Sequence, residues 1–237
     1  MIDKQTSDFA SLGFSEGEVV LIDKPAGWTS FKVVSKIRKS IKVKKVGHAG
    51  TLDPMATGLL ILATGKKTKE LEHYQNLGKT YTGTILLGKT SASMDIETEF
   101  TDHPVPDIVN KELILSIRDE FLGETEQIAP MYSAVKINGT RLYDLARKGI
   151  QIERKPRKIN VDKFEITAIN LPEINFEISC SKGTYIRVIA NDFGEKLGCG
   201  ALLSSLRRIR IGDFDVDNAL NVEDFLGKVQ ANETLST

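Results

Sequence analysis

A single aspartate inside a glycine-rich segment is the residue of this sequence best suited to chemistry. Asp53 lies in the stretch Gly47–Leu60, which contains three glycines, a histidine and an Asp-Pro step. Glycines let a backbone turn sharply and approach a ligand closely. Pro54 fixes its own φ angle and biases Asp53 towards an extended conformation. A carboxylate on such a stiff frame is suited to act as a nucleophile or to stabilise charge.

On spacing alone, a purely structural role for Asp53 is the more common one. Asp-Pro is a common helix opening, with the aspartate as N-cap and the proline at the first helical position. The apolar run Leu59–Ala63 predicts a short buried strand that anchors the segment to a core. Residue types and spacing alone do not decide between capping and catalysis.

The segment resembles the active-site motif of the TruB family, the tRNA pseudouridine-55 synthases. The family pattern G-H-x-G-x-L-D-P-x-A-x-G-x-L is met at every defined position from Gly47 to Leu60. The resemblance implies that Asp53 is the catalytic nucleophile. It also implies that His48 stacks in the RNA to stabilise a flipped-out base, whereas without it His48 is a plain loop residue.

A second segment similar to a motif of the family is Lys79-x-Tyr81, at the start of the predicted strand Lys79–Leu87. Without the resemblance, the position of Tyr81 in an alternating strand predicts a half-buried packing residue. The resemblance implies instead that its ring stacks on the target base.

Two further segments lie towards the end of the chain. The sequence from Gly183 to Arg187 is similar to the G-T-Y-I-R motif of the family. The resemblance implies that Arg187 pairs with the catalytic aspartate and that Tyr185 lines the uridine pocket. Alone, Arg187 would be a surface ion-pair residue. Leu206 lies in a segment similar to the closing L-x-x-L-R-R strand, which implies contact with the target base in place of a simple core role.

The chain departs from the family pattern in two places. After Gly88, members usually carry T-x-T-x-D-x-x-G, where this chain reads S-A-S-M-D-I-E-T from residue 91 to residue 98. Ala92 replaces a usual aspartate and Thr98 the usual glycine, but the serines keep a hydroxyl, so we expect the loop to survive with altered detail. The segment 127–149 resembles Q-x-P-P-x-Y-S-A-x-K followed by G-x-x-x-Y-x-x-A-R-x-G, with Ala129 in place of the first proline.

The segment Gly83–Thr90 also satisfies the nucleotide-binding pattern G-x-x-x-x-G-K-[ST] letter for letter. A phosphate-binding loop needs flexible residues between its glycines, a strand before it and a helix after it. Here the four intervening residues are apolar and strand-like, and the following residues are a poor helix start. We therefore interpret this match as part of a strand.

Charge is segregated along a chain whose formal net charge is zero. The segment from Lys24 to Lys45 has no acidic residue, and its basic residues are Lys24, Lys32, Lys36, Arg38, Lys39, Lys42, Lys44 and Lys45. Two further basic clusters are Arg154–Lys158 and the group Arg207, Arg208 and Arg210. Such clusters are either solvated faces or a basic surface for a phosphate backbone. Three of them around one active-site motif favour RNA.

The first predicted elements are a strand over Glu18–Asp23, a K-P-x-G turn and a helix. Ser30 is the predicted N-cap of this helix, which runs through Arg38 with Phe31, Val34 and Ile37 on one face.

Length and composition are those of a globular protein, with 237 residues and an apolar fraction of 41%. Cys180 and Cys199 form neither a disulfide framework nor a metal-ligand spacing. No targeting signal or bilayer-length apolar run is present, so we expect a cytoplasmic protein.

The resemblance implies an α+β pseudouridine synthase fold, with a central mixed, mostly antiparallel sheet flanked by helices and an active-site cleft across the sheet. We expect a catalytic domain over residues 1–212 and a short acidic extension over 213–237, without a C-terminal PUA domain. The implied reaction isomerises uridine 55 in the T-loop of tRNA by base flipping, with no cofactor and no metal. The expected partner is the T-arm of tRNA, with no membrane and no obligate protein partner, and the chain is expected to be a monomer.

Three other functions compete with this hypothesis. A non-catalytic RNA-binding or tRNA-folding module would not need the combination of Asp53, Tyr81 and Arg187. A nucleotide-dependent enzyme would rest on the match at Gly83–Thr90. A hydrolytic glycosidase usually needs two facing carboxylates, and the motifs supply one.

Overall fold

The computed structural model describes residues 1–133, 135–137 and 139–235, so Ala134 of the segment 127–149 lies outside the described residues. Its α-helices are α1 Ser30–Ser40, α2 Leu71–Asn76, α3 Lys111–Asp119, α4 Leu142–Ala146, α5 Ile186–Lys196 and α6 Val222–Leu235. Its β-strands are β1 Val19–Lys24, β2 Val46–Ala49, β3 Thr57–Thr64, β4 Lys79–Leu87, β5 Lys89–Ser91, β6 Phe100–Asp102, β7 Gly123–Ile128, β8 Lys136–Ile137, β9 Thr140–Arg141, β10 Pro156–Asn170, β11 Glu173–Cys180, β12 Ala201–Ile211, β13 Phe214–Asp215 and β14 Leu220–Asn221.

The chain forms two compact units. The first contains residues 1–80 and 207–237, and the second contains residues 81–206. Strand β12 contributes its last five residues to the first unit and its earlier residues to the second. None of the described helices combines the length and apolar character that crossing a bilayer requires.

The first unit is built around strands β1 and β3. These strands pair antiparallel from Val19↔Ala63 to Lys24↔Gly58, while β14 pairs parallel with β1 and the end of β12 parallel with β3. Almost every residue of β3 is buried, as the apolar run after the aspartate segment predicts. Helices α1 and α6 cover this sheet with apolar side chains, among them Ile37 and Phe225. Residues of the predicted acidic extension thus contribute to the core of the first unit.

Helix α1 begins one residue earlier than its sequence signal indicates. Thr29, not Ser30, is the N-cap, and its hydroxyl accepts a hydrogen bond of 3.0 Å from the amide of Lys32. The buried face consists of Ser30, Val33, Val34 and Ile37, the i, i+3, i+4, i+7 spacing of a helix stripe. Phe31 does not belong to this face, so the prediction that it shares a face with Val34 and Ile37 was wrong.

The second unit is a sheet with the strand order β12, β4, β11, β10 and β7, flanked by α3 and α5. Strands β10 and β11 pair antiparallel through a turn at residues 171–172, and β7 pairs antiparallel with β10. Parallel and antiparallel pairs therefore both occur in the chain, and the antiparallel ones predominate among the described pairs. This confirms the predicted α+β class with a mixed, mostly antiparallel sheet.

The apparent nucleotide-binding loop at Gly83–Thr90 is a strand followed by a second strand. Ile85 and Leu87 are buried on one face of β4, and Gly88 turns the chain into β5, where a phosphate loop would need a helix. A Cβ at residue 83 would lie 2.5 Å from the carbonyl oxygen of Ser205, so Gly83 is needed for close strand packing.

Gly58 allows β3 to approach β12. Its φ angle is +104°, and a Cβ there would lie 2.2 Å from the carbonyl oxygen of Arg208. We therefore expect Gly58→Ala to lower the free energy of unfolding by about 3 kcal/mol, since it adds a collision to backbone strain. Gly123→Ala is the matched control, because Gly123 has a φ of +87° and open space around it. Chemical denaturation measures both, and equal losses in the two variants would contradict a close-packing role for Gly58.

Candidate active site

Asp53 lies in a loop that ends in a strand. The loop turns through a hydrogen bond of 3.1 Å from the amide of Ala56 to the carbonyl oxygen of Asp53, and β3 begins at Thr57. Since no helix begins at Pro54 and the chain enters a strand at Thr57, the helix-capping role is excluded. The partly buried carboxylate is therefore carried by a rigid loop, as the catalytic hypothesis requires.

The residue after Asp53 is held by two donors from the turn that follows β1. The carbonyl oxygen of Pro54 accepts hydrogen bonds from the amide of Gly27, at 2.8 Å, and from the ammonium of Lys24, at 3.2 Å. Lys24 is fully buried, and its ammonium also donates to the carbonyl oxygens of Pro25 and Trp28. A buried ammonium must find such acceptors, because burying it without partners costs several kcal/mol. The Lys-Pro turn and the aspartate loop are thus joined.

The residue before Asp53 is held by helix α1. The Ser30 hydroxyl accepts a hydrogen bond of 2.9 Å from the amide of Leu52 and donates one of 3.2 Å to its carbonyl oxygen. Ser30 therefore fixes the loop, while Thr29 caps the helix.

Arg208 connects the two ends of the loop. Its side chain is 1% exposed, and its guanidinium donates to the carbonyl oxygens of Gly50, at 3.1 Å, and Leu59, at 2.8 Å. Gly50 has a φ angle of +85°, which favours glycine where the chain turns towards Asp53. Arg208 thus holds the backbone on both sides of the aspartate.

His48 precedes the loop at the end of β2 and is half-buried. Its pKa lies below the usual 6.5, mainly because burial disfavours the charged ring and secondly because the charge of Arg208 repels it, with a backbone contact to Gly50 acting in the opposite direction. His48 is therefore a neutral imidazole at neutral pH. Its Nδ1 atom is buried without a hydrogen-bond partner among the described residues.

Arg187 lies at the start of α5 in the second unit and is 4% exposed, so it is not a surface ion-pair residue. Its guanidinium donates to the carbonyl oxygen of Ser93, at 3.3 Å, and lies 3.6 Å from the carboxylate of Asp95. Asp95 is fully buried. The structure therefore gives Arg187 a carboxylate neighbour that sequence reasoning did not assign.

The loop that departs from the family pattern holds Asp95 in place. The other carboxylate oxygen of Asp95 accepts hydrogen bonds from the Ser93 hydroxyl and from the amide of Glu97. Thr98 contributes a hydroxyl 2.8 Å from that of Ser93, whereas Ala92 is exposed. Ser93, Glu97 and Thr98 thus hold this loop together around Asp95.

Tyr185 is positioned through its backbone by a buried glutamine. The side-chain amide of Gln127 accepts from the amide of Tyr185 at 2.8 Å and donates to its carbonyl oxygen at 3.1 Å. Arg157 lies over the Tyr185 ring, with 4.8 Å between the guanidinium carbon and the ring centroid. The glutamine at the start of the segment 127–149 therefore fixes the backbone from which α5 and Arg187 begin.

The two remaining site candidates are Tyr81 and Leu206. Tyr81 is 9% exposed in β4, on the same face as Ile85, and Leu206 is partly buried in β12. Lys79 of the Lys-x-Tyr motif has a structural role, since its ammonium donates at 2.6 Å to the carbonyl oxygens of Gln75 and Leu77, near the end of α2.

The predicted site residues divide between the two units. Asp53 and His48 belong to the first, and Tyr81, Tyr185, Arg187 and Leu206 belong to the second. Two expectations involve residues of both units: the pairing of Arg187 with Asp53, and an active-site cleft across the sheet. Both stay predictions. Sequence reasoning missed four residues that position these groups, namely Lys24, Asp95, Gln127 and Arg208. The signal that could have found them is a polar or charged residue inside an otherwise apolar or family-like motif.

The three basic clusters differ in what their side chains contact. Arg208 is buried, Arg207 pairs with Asp23 at 2.6 Å and Arg210 with Asp215 at 3.2 Å, so this cluster is largely used within the protein. In the cluster Arg154–Lys158, Arg154 donates to backbone and Lys158 pairs with Glu124. The first cluster keeps most of its cations exposed, namely Lys32, Lys36, Lys39, Lys42, Lys44 and Lys45.

Comparison with known proteins decides the family. A family model described as TruB family pseudouridylate synthase (N terminal domain) matches residues 38–186. The chain belongs to the TruB family. A model described as tRNA pseudouridylate synthase B C-terminal domain matches residues 187–236. As a TruB-family pseudouridine synthase, the chain is an isomerase.

Relatives that are similar along nearly the whole chain support this membership. A tRNA pseudouridine synthase B of Flavobacterium johnsoniae is 47% identical over 224 residues, covering 92% of this chain and 98% of that protein. One of Chloroherpeton thalassium is 51% identical over 219 residues, covering 90% of this chain and 91% of that protein.

Solved structures share the fold. An H/ACA RNP bound to a substrate RNA containing 2′-deoxyuridine includes a chain with a TM-score of 0.70 and 27% identity over 94% of this chain. A Cbf5–Nop10–Gar1 complex gives a TM-score of 0.70 and 29% identity over 95% of this chain. This TruB-family chain spans 56% and 61% of those two solved chains, respectively.

No group of metal-ligating side chains occurs in the part of the TruB-family chain that the structure describes.

The lowered pKa of His48 has a consequence for stability. Because the folded state binds a proton to His48 less readily than the unfolded state, stability falls as the pH drops below 6.5 towards the lowered folded-state pKa. We expect the His48 ring to titrate below pH 6.5 in NMR spectra. His48→Gln should lose this part of the acid sensitivity, and a His48 pKa at or above 6.5 would contradict the effect of burial.

Asp95 should be required for both stability and activity. Asp95→Asn removes the carboxylate charge beside a buried guanidinium, and we expect a loss of about 3 kcal/mol in unfolding free energy. We also expect a lower kcat, because the orientation of Arg187 is disturbed. Asp119→Asn is the control, since Asp119 pairs with Arg118 at 2.7 Å on the surface, where an ion pair contributes little. Equal stability losses in the two variants would argue against a buried pair.

Proposed function

We propose that this chain isomerises a uridine of the T-loop of tRNA, at position 55, to pseudouridine, with Asp53 as the nucleophile. The observation that carries the proposal is the Asp53 loop of this TruB-family chain, fixed on both sides by Lys24, Ser30 and Arg208. Support for the substrate comes from the relatives named tRNA pseudouridine synthase B.

The reaction rearranges one nucleoside without adding or removing atoms. The N1–C1′ bond of uridine breaks, the base turns, and a C5–C1′ bond forms. The proton lost from C5 is balanced by the proton gained at N1. Such a reaction requires a placed carboxylate, a pocket that excludes water and groups that keep the free base in place.

Each predicted site residue has a role in this scheme. Arg187 keeps Asp53 ionised and oriented through a charge-assisted hydrogen bond. Tyr81 stacks on the uracil and assists the late loss of the C5 proton, while Tyr185 and Leu206 line the pocket for the base. The low exposure of Tyr81 and Arg187 supports this assignment, because a dry pocket strengthens electrostatic interactions.

His48 acts on the RNA in this proposal. Flipping a base out of its stack costs a few kcal/mol, and a neutral ring that stacks in the vacated position offsets part of that cost. The lowered pKa of His48 supports this role, because a neutral imidazole sheds its hydration more easily than a charged one.

The chain is proposed to act in the cytoplasm as a monomer, with tRNA as its partner and without a protein partner, a cofactor or a metal. RNA loops are recognised by shape, stacking and the 2′-hydroxyl, which suits local basic surfaces on a protein of zero net charge.

The test is Asp53→Asn, which keeps the shape of the side chain but removes its charge. We expect wild-type protein to form pseudouridine at position 55 of a tRNA transcript and the variant to form none, while tRNA binding changes less than about threefold. Asp107→Asn, at an exposed aspartate, should retain full activity. Product at another position would overturn the substrate, and an active Asp53→Asn would overturn the nucleophile.

A further inference from the structure

One aromatic side chain of the first unit is not used by the core. Phe31 is 69% exposed, although it lies in the first turn of a helix whose other apolar residues are buried. Successive helix residues are about 100° apart, so Phe31 points away from the buried stripe that begins at Ser30. A phenylalanine at this position stabilises the fold little, so its ring is accessible to a binding partner.

The surroundings of Phe31 are aromatic and cationic. The Lys32 ammonium lies 4.1 Å from the centroid of the Trp28 ring, and Lys36 follows one helical turn later, also exposed. No acidic residue occurs between Lys24 and Lys45. We refer to Trp28, Phe31, Lys32 and Lys36 as the α1 entrance surface. Aromatic rings next to cations complement unpaired bases next to phosphates.

The α1 entrance surface is attached directly to the Asp53 loop. The carbonyl oxygens of Trp28 and Pro54 both accept from the Lys24 ammonium, at 2.5 and 3.2 Å. Ser30, immediately before Phe31, bonds to Leu52, immediately before Asp53. The α1 entrance surface is therefore carried by the chain segment that is bonded to the residues on both sides of Asp53.

We propose that the α1 entrance surface binds the RNA substrate, with Phe31 stacking on an unpaired base and Lys32 and Lys36 facing the adjacent phosphates. This inference rests on the proposed function and adds a binding contact outside the predicted site residues. A protein partner is disfavoured, because the centres of protein interfaces are depleted in lysine, whereas here lysines flank the single exposed aromatic ring of α1.

The first test compares Phe31→Ala, Phe31→Leu and Phe31→Trp in the full chain, with an unmodified tRNA transcript as the probe. We expect Phe31→Ala to weaken tRNA binding about tenfold, which is within the range for loss of one base–aromatic stack. Phe31→Leu should bind as weakly, and Phe31→Trp should bind as the wild type does. The single-turnover rate at saturating enzyme should stay unchanged, because the lost contact acts on binding. Ile108→Ala is the control, since Ile108 is equally exposed at 69% and lies in the other unit.

The second arm tests the cations through salt dependence. Lys32→Gln should reduce the slope of log Kd against log salt by about 0.7, the value for one phosphate contact with a single strand. Lys111→Gln, at an exposed lysine of α3, should leave the slope unchanged.

Several outcomes would overturn the α1 entrance surface. Unchanged tRNA affinity in Phe31→Ala excludes the contact, and wild-type affinity in Phe31→Leu excludes stacking. If Phe31→Ala sedimented differently from the wild type in the absence of RNA, Phe31 would mediate self-association instead. A different result would contradict the proposed function: the wild-type protein would form no pseudouridine, even if its tRNA binding still depended on Phe31.

Discussion

Hydrogen bonds from two buried cations to backbone carbonyl oxygens hold the aspartate loop, and the arrangement of the first unit depends on them. Lys24 bonds to Pro54, and Arg208 bonds to Gly50 and Leu59. A buried cation requires acceptors, so each one fixes the carbonyl groups around it. Since these acceptors belong to the backbone, the two cations fix the main-chain path of the loop on both sides of Asp53.

The second unit positions its predicted site residues by a related means. Arg187 is oriented by the buried Asp95 and by a carbonyl group of the same loop, and Gln127 bonds to both backbone polar groups of Tyr185. Buried polar groups with satisfied partners favour one geometry, because any displacement leaves a donor or acceptor unpaired. Both units therefore use supporting residues that do not themselves take part in the proposed chemistry. Mutations that impair such residues should act on the geometry of the site and on stability together.

The segment from the end of β1 to the first turn of α1 both supports the aspartate loop and exposes side chains to solvent. Their inward groups, Lys24 and Ser30, bond to the aspartate loop, while Phe31 and Lys32 face outward. The same few residues thus link the α1 entrance surface to the loop without any additional element. The charge distribution agrees with a binding role for this segment. Most of its cations are exposed, whereas Arg207, Arg208 and Arg210 form contacts within the protein. Counting basic residues alone would not have distinguished these clusters.

From the sequence by itself, the resemblance determined the family, the α+β class and the candidates for the site, and the alternating apolar residues predicted the main strands, because such residues impose local geometry. It did not decide whether Asp53 caps a helix, because the same Asp-Pro step begins helices and rigid loops; the strand that starts at Thr57 decided it. The roles of Lys24, Asp95, Gln127 and Arg208 depended on the tertiary structure. Each of them has a partner distant in the chain, up to 158 positions away for Arg208, and a periodic pattern carries no information about such distant partners. Phe31 was misplaced for the same reason, since only packing shows which side of α1 the core occupies.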